Sequence, residues 1–116
     1  MLKYNDDYEA YVFESDDMMI CWNEYPGDNY EENARALKTA YNRNITHIAE
    51  CIYDELKDVL DFASVDEVAS KLGKPQINPD IGQVIYCENR FDGSHIISFE
   101  YYDEEFEDIE FVAIDG

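Results

Sequence analysis

The sequence predicts an α+β fold in which an antiparallel sheet is covered on one face by one long helix and one short helix. Two strand-like runs open the chain, a helical apolar stripe follows, and a series of strand-like runs with short connections closes it. With 116 residues and 46% hydrophobic content, the chain suits a single domain over residues 1–116, because two domains of half this size would each lack a core.

The first element is an N-terminal hairpin. Residues 8–14 and 18–25 are rich in β-branched or aromatic side chains, and the Ser-Asp-Asp sequence at 15–17 is typical of a turn. A Pro-Gly pair at 26–27 then ends the strand pattern.

One long helix is predicted next, over roughly residues 30–62. Asp28 and Glu31 have the spacing of a capping box before it. Apolar residues then recur at spacings of three and four, which places them on one helical face. They are Leu37, Tyr41, Ile45, Ile48, Ile52, Leu56 and Val59. The Asn-Arg-Asn cluster at 42–44 does not shift this stripe, so the pattern favours a continuous helix.

A short helix and a meander complete the predicted fold. Ser64 and Glu67 form a second capping pattern, and Gly73 and Pro75 stop the helix that follows. Strands are predicted around Ile77 and over the runs that follow it, or over the three following runs alone if Ile77 is not in a strand. These runs are residues 84–87, 95–102 and 107–114, with turns at 79–80, 92–93 and 103–105.

Side-chain alternation predicts which face of the last two strands meets the helices. The inward set is Ile97, Phe99 and Tyr101 on one strand, with Ile109, Phe111 and Ala113 on the other. The outward set is Ser98, Glu100, Tyr102, Asp108, Glu110 and Val112. We therefore expect an acidic outer sheet face that also carries tyrosine, with the helical layer closer to charge balance.

The charge is strongly polarised along the chain. The net charge is −20, from 28 acids and 8 bases. Residues 1–34 hold ten acids and one base, residues 35–90 hold nine and seven, and residues 91–116 hold nine and none. Ordinary protein surfaces mix both signs, so this imbalance indicates a use for the charge. The scarcity of Lys and Arg argues against direct binding to nucleic acid, whose phosphates need cationic contacts.

Several features indicate the compartment. No run approaches the roughly 20 apolar residues of a membrane span, and no apolar signal region follows the N-terminus. Cys21, Cys51 and Cys87 are an odd number with no close pair, which suits neither a disulfide framework nor a zinc site. We expect a cytoplasmic protein without a membrane partner.

Catalytic patterns are weak. His47 and Cys51 are one helical turn apart, but no third orienting group is identifiable. Asp80 followed by Glu88 and Arg90 partly matches a metal-dependent nuclease pattern, although arginine stands where that pattern has lysine. The sequence thus predicts a binding protein rather than an enzyme, with Cys51 or the Asp80 and Glu88 pair as the enzymatic alternative.

No cofactor or metal is expected. The acidic runs at 6–7, 16–17 and 103–105 lack the alternating oxygen ligands, central glycine and closing glutamate of a calcium loop. None of the five glycines falls in a phosphate-binding frame.

The leading hypothesis is an acidic protein that binds and inhibits a basic protein partner, such as a toxin with nuclease activity. Carboxylates would steer association and pair with Lys and Arg, while tyrosines would fill the desolvated centre. The predicted partner-binding residues are Glu100, Tyr102, Asp103, Glu104, Glu105, Asp108 and Glu110. Two alternatives are a nucleic-acid mimic that acts on DNA-binding proteins and an accessory domain whose acidity only keeps it soluble. The partner's identity and the oligomeric state stay open.

Residues 73–116, GKPQINPDIGQVIYCENRFDGSHIISFEYYDEEFEDIEFVAIDG, carry a resemblance. The Gly-Lys-Pro opening, the His-Ile-Ile-Ser-Phe-Glu strand and the final Ile-Asp-Gly resemble small bacterial proteins found among the immunity proteins of polymorphic toxin systems. The resemblance implies a small cytoplasmic protein that neutralises a toxin, or an accessory protein. Its motifs are structural, so it assigns no functional residue.

Overall fold

The computed structural model describes residues 2–91 and 95–115, which form a sheet of seven strands and a layer of three helices. The strands β1 to β7 are Leu2–Asn5, Ala10–Ser15, Met18–Trp22, Gln76–Asn78, Gln83–Tyr86, Ile96–Tyr101 and Ile109–Asp115. The helices α1 to α3 are Tyr30–Arg43, Ile45–Leu56 and Val65–Lys71. The predicted α+β class is confirmed. The turn predicted at 92–93 lies outside the described residues.

The strands lie in the sheet in the order in which they occur along the chain. Every neighbouring pair is antiparallel except β3 and β4, which are parallel. All three helices belong to the connection between those two strands, because a parallel pair needs a long crossover. The Met19 N–H donates to the Pro75 carbonyl over 2.9 Å at the start of this pairing. The sheet is thus mostly antiparallel, and strand β1 adds an edge that the sequence pattern did not predict.

The prediction of one long helix over residues 30–62 is wrong. The chain forms α1 of 14 residues and α2 of 12 residues, with Asn44 between them. The Asn44 N–H bonds to the carbonyls of Ala40 and Tyr41, and its side-chain amide donates to the carbonyl of Glu105. Asparagine side chains can hydrogen-bond to backbone groups and so interrupt a helix. Here the bond from Asn44 to the Glu105 carbonyl, in a distant turn, stabilises the interruption between α1 and α2.

The two predicted helix caps have different outcomes. The residue before α1 is Asn29, and no side chain caps this helix, so the capping box at Asp28 is wrong. The Asp28 carboxylate instead accepts a hydrogen bond from the Tyr25 hydroxyl over 3.0 Å. The Ser64 cap is confirmed, because its hydroxyl accepts the Glu67 N–H over 3.1 Å.

The hydrophobic core lies between the helices and one face of the sheet. Its most completely buried large side chains are Tyr86, Phe99, Phe106, Ile20, Ile48, Ile52, Leu72, Ile77 and Ile97. The inward set predicted for β6 is confirmed, since Ile97 and Phe99 are buried and Tyr101 packs against the same cluster. In the part of the chain that the structure describes, no helix is long and apolar enough to cross a membrane.

Strand β7 carries a β-bulge that changes its inward face. Glu100 pairs with Glu110 and Ser98 pairs with Ala113, so β7 has one residue more than β6 between these pairs. Phe111 takes a positive φ of 55° at this point and is 66% exposed. Val112 and Ile114 pack on the core instead. The inward placement predicted for Phe111 and Ala113 and the outward one for Val112 are therefore wrong.

The acidic residues are concentrated in the connections between elements. Of the 27 acidic residues within 2–91 and 95–115, four lie in strands, namely Glu14, Glu100, Glu110 and Asp115, and seven lie in helices. The middle of the open sheet face is uncharged across five strands. Its row runs through Met19, Gln76, Ile85, Ser98 and Ala113. The expected acidic outer face is therefore restricted to the ends of strands and to turns.

Candidate partner-binding surface

Strands β6 and β7 bring four of the predicted residues together at the end of the sheet. Glu100 and Glu110 are direct cross-strand partners. The Tyr102 N–H donates to the Asp108 carbonyl over 3.0 Å, and the Tyr102 hydroxyl donates to Glu100 Oε1 over 3.3 Å. We call Glu100, Tyr102, Asp108 and Glu110 the acidic patch.

The electrostatics of the acidic patch are unfavourable for the isolated protein. Like charges directly opposite on neighbouring strands destabilise a sheet. Partial desolvation, together with the carboxylates of Glu100, Glu110 and Asp108, raises the pKa of Tyr102. Four ion pairs form within residues 2–91 and 95–115, and none of them includes a member of the patch. A cationic partner would relieve this repulsion.

Asp103 has a structural task in the turn between β6 and β7. Its Oδ1 accepts the N–H groups of Glu107 and Asp108, each over 2.9 Å. The turn drives Phe106 into the core, where its ring lies 5.7 Å from Tyr41 and 4.5 Å from Tyr101. The geometry makes Asp103 the residue that shapes the turn behind the acidic patch.

Glu104 and Glu105 lie away from the acidic patch, beside the helices. Both line a groove against α1, and Glu105 Oε2 is 3.5 Å from Arg43 Nη1. The predicted set of seven therefore separates into the four patch residues, one turn residue and two residues that face α1.

Phe111 also lies on this surface. Side-chain alternation predicted that it would face the core, so it was not among the predicted binding residues. It is the most exposed of the large hydrophobic side chains described, and its ring lies 6.5 Å from that of Tyr102 in an edge-to-face arrangement. Bulges often re-aim a side chain at a sheet edge. The sequence does carry a signal, because the adjacent Phe111 and Val112 break the strict alternation of the strand.

A groove between α2 and β7 continues the acidic surface around the edge of the sheet. Its volume is about 380 Å³, and we call it the edge groove. It is lined by Cys51, Asp54, Glu55, Ile109, Glu110, Phe111 and Val112. Burial, and then the carboxylates of Asp54, Glu50 and Glu55, raise the pKa of the Cys51 thiol.

The catalytic candidates His47, Cys51 and Asp80 form hydrogen bonds or close contacts with neighbouring groups. His47 Nε2 lies 2.8 Å from the Glu107 carbonyl and 3.8 Å from Cys51 Sγ. A raised thiol pKa disfavours the thiolate that a nucleophile needs. Asp80 Oδ2 accepts the backbone N–H groups of Asn23 and Glu24, over 2.7 and 3.2 Å. Among the described residues, no group of three or more His, Cys, Asp or Glu is placed to hold a metal ion.

Comparison of the chain with protein-family models, with curated proteins and with solved structures finds no match.

Proposed function

We propose that this protein binds and neutralises a basic protein, and that a toxin acting on nucleic acid is the class of partner that best suits its surface. One observation carries the proposal. The acidic patch presents three carboxylates beside two exposed aromatic rings, those of Tyr102 and Phe111, and no described ion pair neutralises it.

The surface suits recognition in two stages. Carboxylates at the end of the sheet attract a positively charged partner and orient its approach, which raises the association rate. Tyr102 and Phe111 then supply apolar area that can be desolvated at the centre of the contact, as aromatic residues do at protein interfaces. Nuclease substrate grooves are positively charged because they bind phosphate, so such a groove is complementary to this patch.

The charge of the patch destabilises the free protein. Glu100 and Glu110 face each other and take part in none of the ion pairs among the described residues, and like charges directly opposite destabilise a sheet. Lys or Arg side chains from a partner would turn this repulsion into attraction. The resemblance of residues 73–116 to immunity proteins points in the same direction.

The test begins with capture from a lysate of the source organism, at low and high salt, and identification of the retained proteins by mass spectrometry. Association rates are then measured for each identified protein and three forms of this chain. These are the wild type, the patch variant Glu100→Gln/Asp108→Asn/Glu110→Gln, and a control variant Asp6→Asn/Asp7→Asn/Glu9→Gln. The control removes the same charge from the turn between β1 and β2, at the opposite edge of the sheet.

We expect a basic protein whose association with the patch variant is about tenfold slower than with the control, since three steering charges are lost. Equal rates for the two variants would show that the patch is not the binding surface. Retention of many DNA-binding proteins, with release by duplex DNA, would favour nucleic-acid mimicry. An empty capture at both salt concentrations would count against any partner expressed under those conditions.

A further inference from the structure

We propose that the partner is held partly by strand addition, in which an extended segment bearing lysine or arginine pairs with the free edge of β7 and places side chains in the edge groove. This inference rests on the proposed function, because it names how a basic partner is gripped.

Within residues 2–91 and 95–115, the hydrogen-bond pattern of β7 leaves backbone groups without a partner at its outer side. Strand β7 is the last in the sheet, with β6 as its neighbour. The Tyr102 N–H bonds to the Asp108 carbonyl, so in antiparallel alternation the next pair, Tyr101 and Ile109, is the non-hydrogen-bonded type. The N–H and C=O of Ile109 therefore point away from β6, and an added strand can use both.

The two edges of the sheet differ in how well they resist such pairing. Strand β1 has four residues and carries Lys3, and a short edge with a lysine is a common protection against added strands. Strand β7 has seven residues and contains no Lys or Arg. Its bulge interrupts regular pairing at Phe111, which leaves the segment before the bulge and the exposed ring as the points of attachment.

The charge of the edge groove selects the occupant. Asp54, Glu55 and Glu110 line it together with apolar groups, and no cation is among its lining residues. A strand in which basic side chains alternate with apolar ones would complement both the acidic and the apolar residues that line the groove. A second copy of this chain would bring its own net charge of −20 to the same edge, so self-pairing is opposed.

Synthetic peptides test the inference before any natural partner is identified. The first is a capped eight-residue peptide of alternating valine and lysine. The second has the same sequence with every second amide N-methylated, which keeps the charge and removes the hydrogen-bond donors of one edge. The third replaces lysine with glutamate. Each is titrated to about 5 mM into the ¹⁵N-labelled protein, because NMR shifts detect affinities as weak as millimolar.

With the first peptide we expect saturable shifts over residues 109–115 and 50–55, and slower exchange of the Ile109 amide proton. N-methylation should weaken binding at least tenfold, and the glutamate peptide should not bind. The variant Asp54→Lys/Glu55→Lys should lose the response, whereas Asp6→Lys/Asp7→Lys, with the same change in net charge, should keep it.

Two results would overturn strand addition. One is equal binding of the plain and N-methylated peptides, with shifts confined to the acidic patch. In that case the proposed function would stand, and only strand addition as the way of binding would be disproved. The other is no response to the first peptide at the highest concentration. The proposed function itself is decided separately, by the association rates of the patch and control variants.

Discussion

The phenolic oxygens of Tyr41 on α1 and Tyr86 on β5 lie 2.6 Å apart in the interior of the protein, where they form a hydrogen bond between the helical layer and the sheet. Tyr86 is fully buried and Tyr41 is 5% exposed. Each hydroxyl therefore depends on the other for a partner that water would otherwise supply.

Removal of both hydroxyls should cost less than removal of the more costly one alone. Tyr41→Phe or Tyr86→Phe leaves the other hydroxyl buried without this partner, at a cost of about 1–3 kcal/mol in the free energy of unfolding. The double variant loses both polar groups, so its stability should exceed that of the less stable single variant. Urea denaturation of all four proteins measures this cycle. Additive losses would show that the two hydroxyls do not depend on each other.

Alkaline pH should destabilise the protein through its buried tyrosines. Burial raises the pKa of Tyr41 to about 12, and burial with the Asp80 charge raises the pKa of Tyr101 to about 12. Above pH 10, the usual pKa of tyrosine, the unfolded chain loses protons that the folded chain retains, so the free energy of unfolding falls as pH rises toward 12. Denaturation at a series of pH values measures the decline. The Tyr41→Phe/Tyr86→Phe variant should show a shallower one.

Gly73→Ala should be distinctly more destabilising than Gly27→Ala. Both glycines have positive φ, of 80° and 94°, so both substitutions introduce left-handed strain of about 1 kcal/mol. A Cβ at Gly73 would also lie 2.6 Å from the carbonyl oxygen of Glu88, whereas a Cβ at Gly27 meets nothing within 4 Å. The difference between the two melting temperatures isolates the steric clash. Equal temperatures would mean that the Glu88 backbone moves aside freely.

At position 111 glycine should stabilise the fold more than alanine does. Glycine normally weakens a strand, but the φ of 55° at Phe111 strains any residue with a Cβ. We expect Phe111→Gly to exceed Phe111→Ala by about 1 kcal/mol in the free energy of unfolding. Both variants should bind the basic partner more weakly than the wild type, because both lose the ring. The opposite order of stability would argue against the bulge.

Added salt should stabilise the protein. The net charge of −20 produces self-repulsion that ions screen. The described ion pairs are at the surface, and such pairs contribute only about 0–1 kcal/mol each. The melting temperature should therefore rise by several degrees between about 0.02 M and about 0.5 M sodium chloride, since 1 kcal/mol corresponds to about 4 °C. Potassium chloride should act equally. A fall with salt would show that the ion pairs dominate.

Local patterns predicted the parts of this fold that local forces decide. The Ser64 cap, the inward face of β6 and the turn at 15–17 each follow from neighbouring residues. The break at Asn44 does not, because its side chain is held by the Glu105 carbonyl, 61 positions away. The hydrophobic stripe keeps its phase through the break, so periodicity alone could not reveal it.

In the candidate site, too, neighbouring sequence predicts some residues, and long-range packing decides the others. Four of the seven predicted residues meet because a hairpin puts nearby positions side by side. Glu104 and Glu105 turn toward α1, since the buried Phe106 fixes the path of the turn. The contribution of Asp54 and Glu55 depends on how α2 packs along β7, which no single segment of sequence encodes.

From the parallel pairing of β3 with β4 we also expect an order of events when this chain folds. Strands β1 to β3 can pair locally, and so can strands β4 to β7, because each neighbour is reached through a short connection. Joining the two halves pairs Met19 with Gln76. This closes a loop on the order of 50 residues, and the chain loses that conformational entropy before the new hydrogen bonds form. The halves meet through the three-residue strand β4, of which two residues pair with β3, so few backbone hydrogen bonds join them directly.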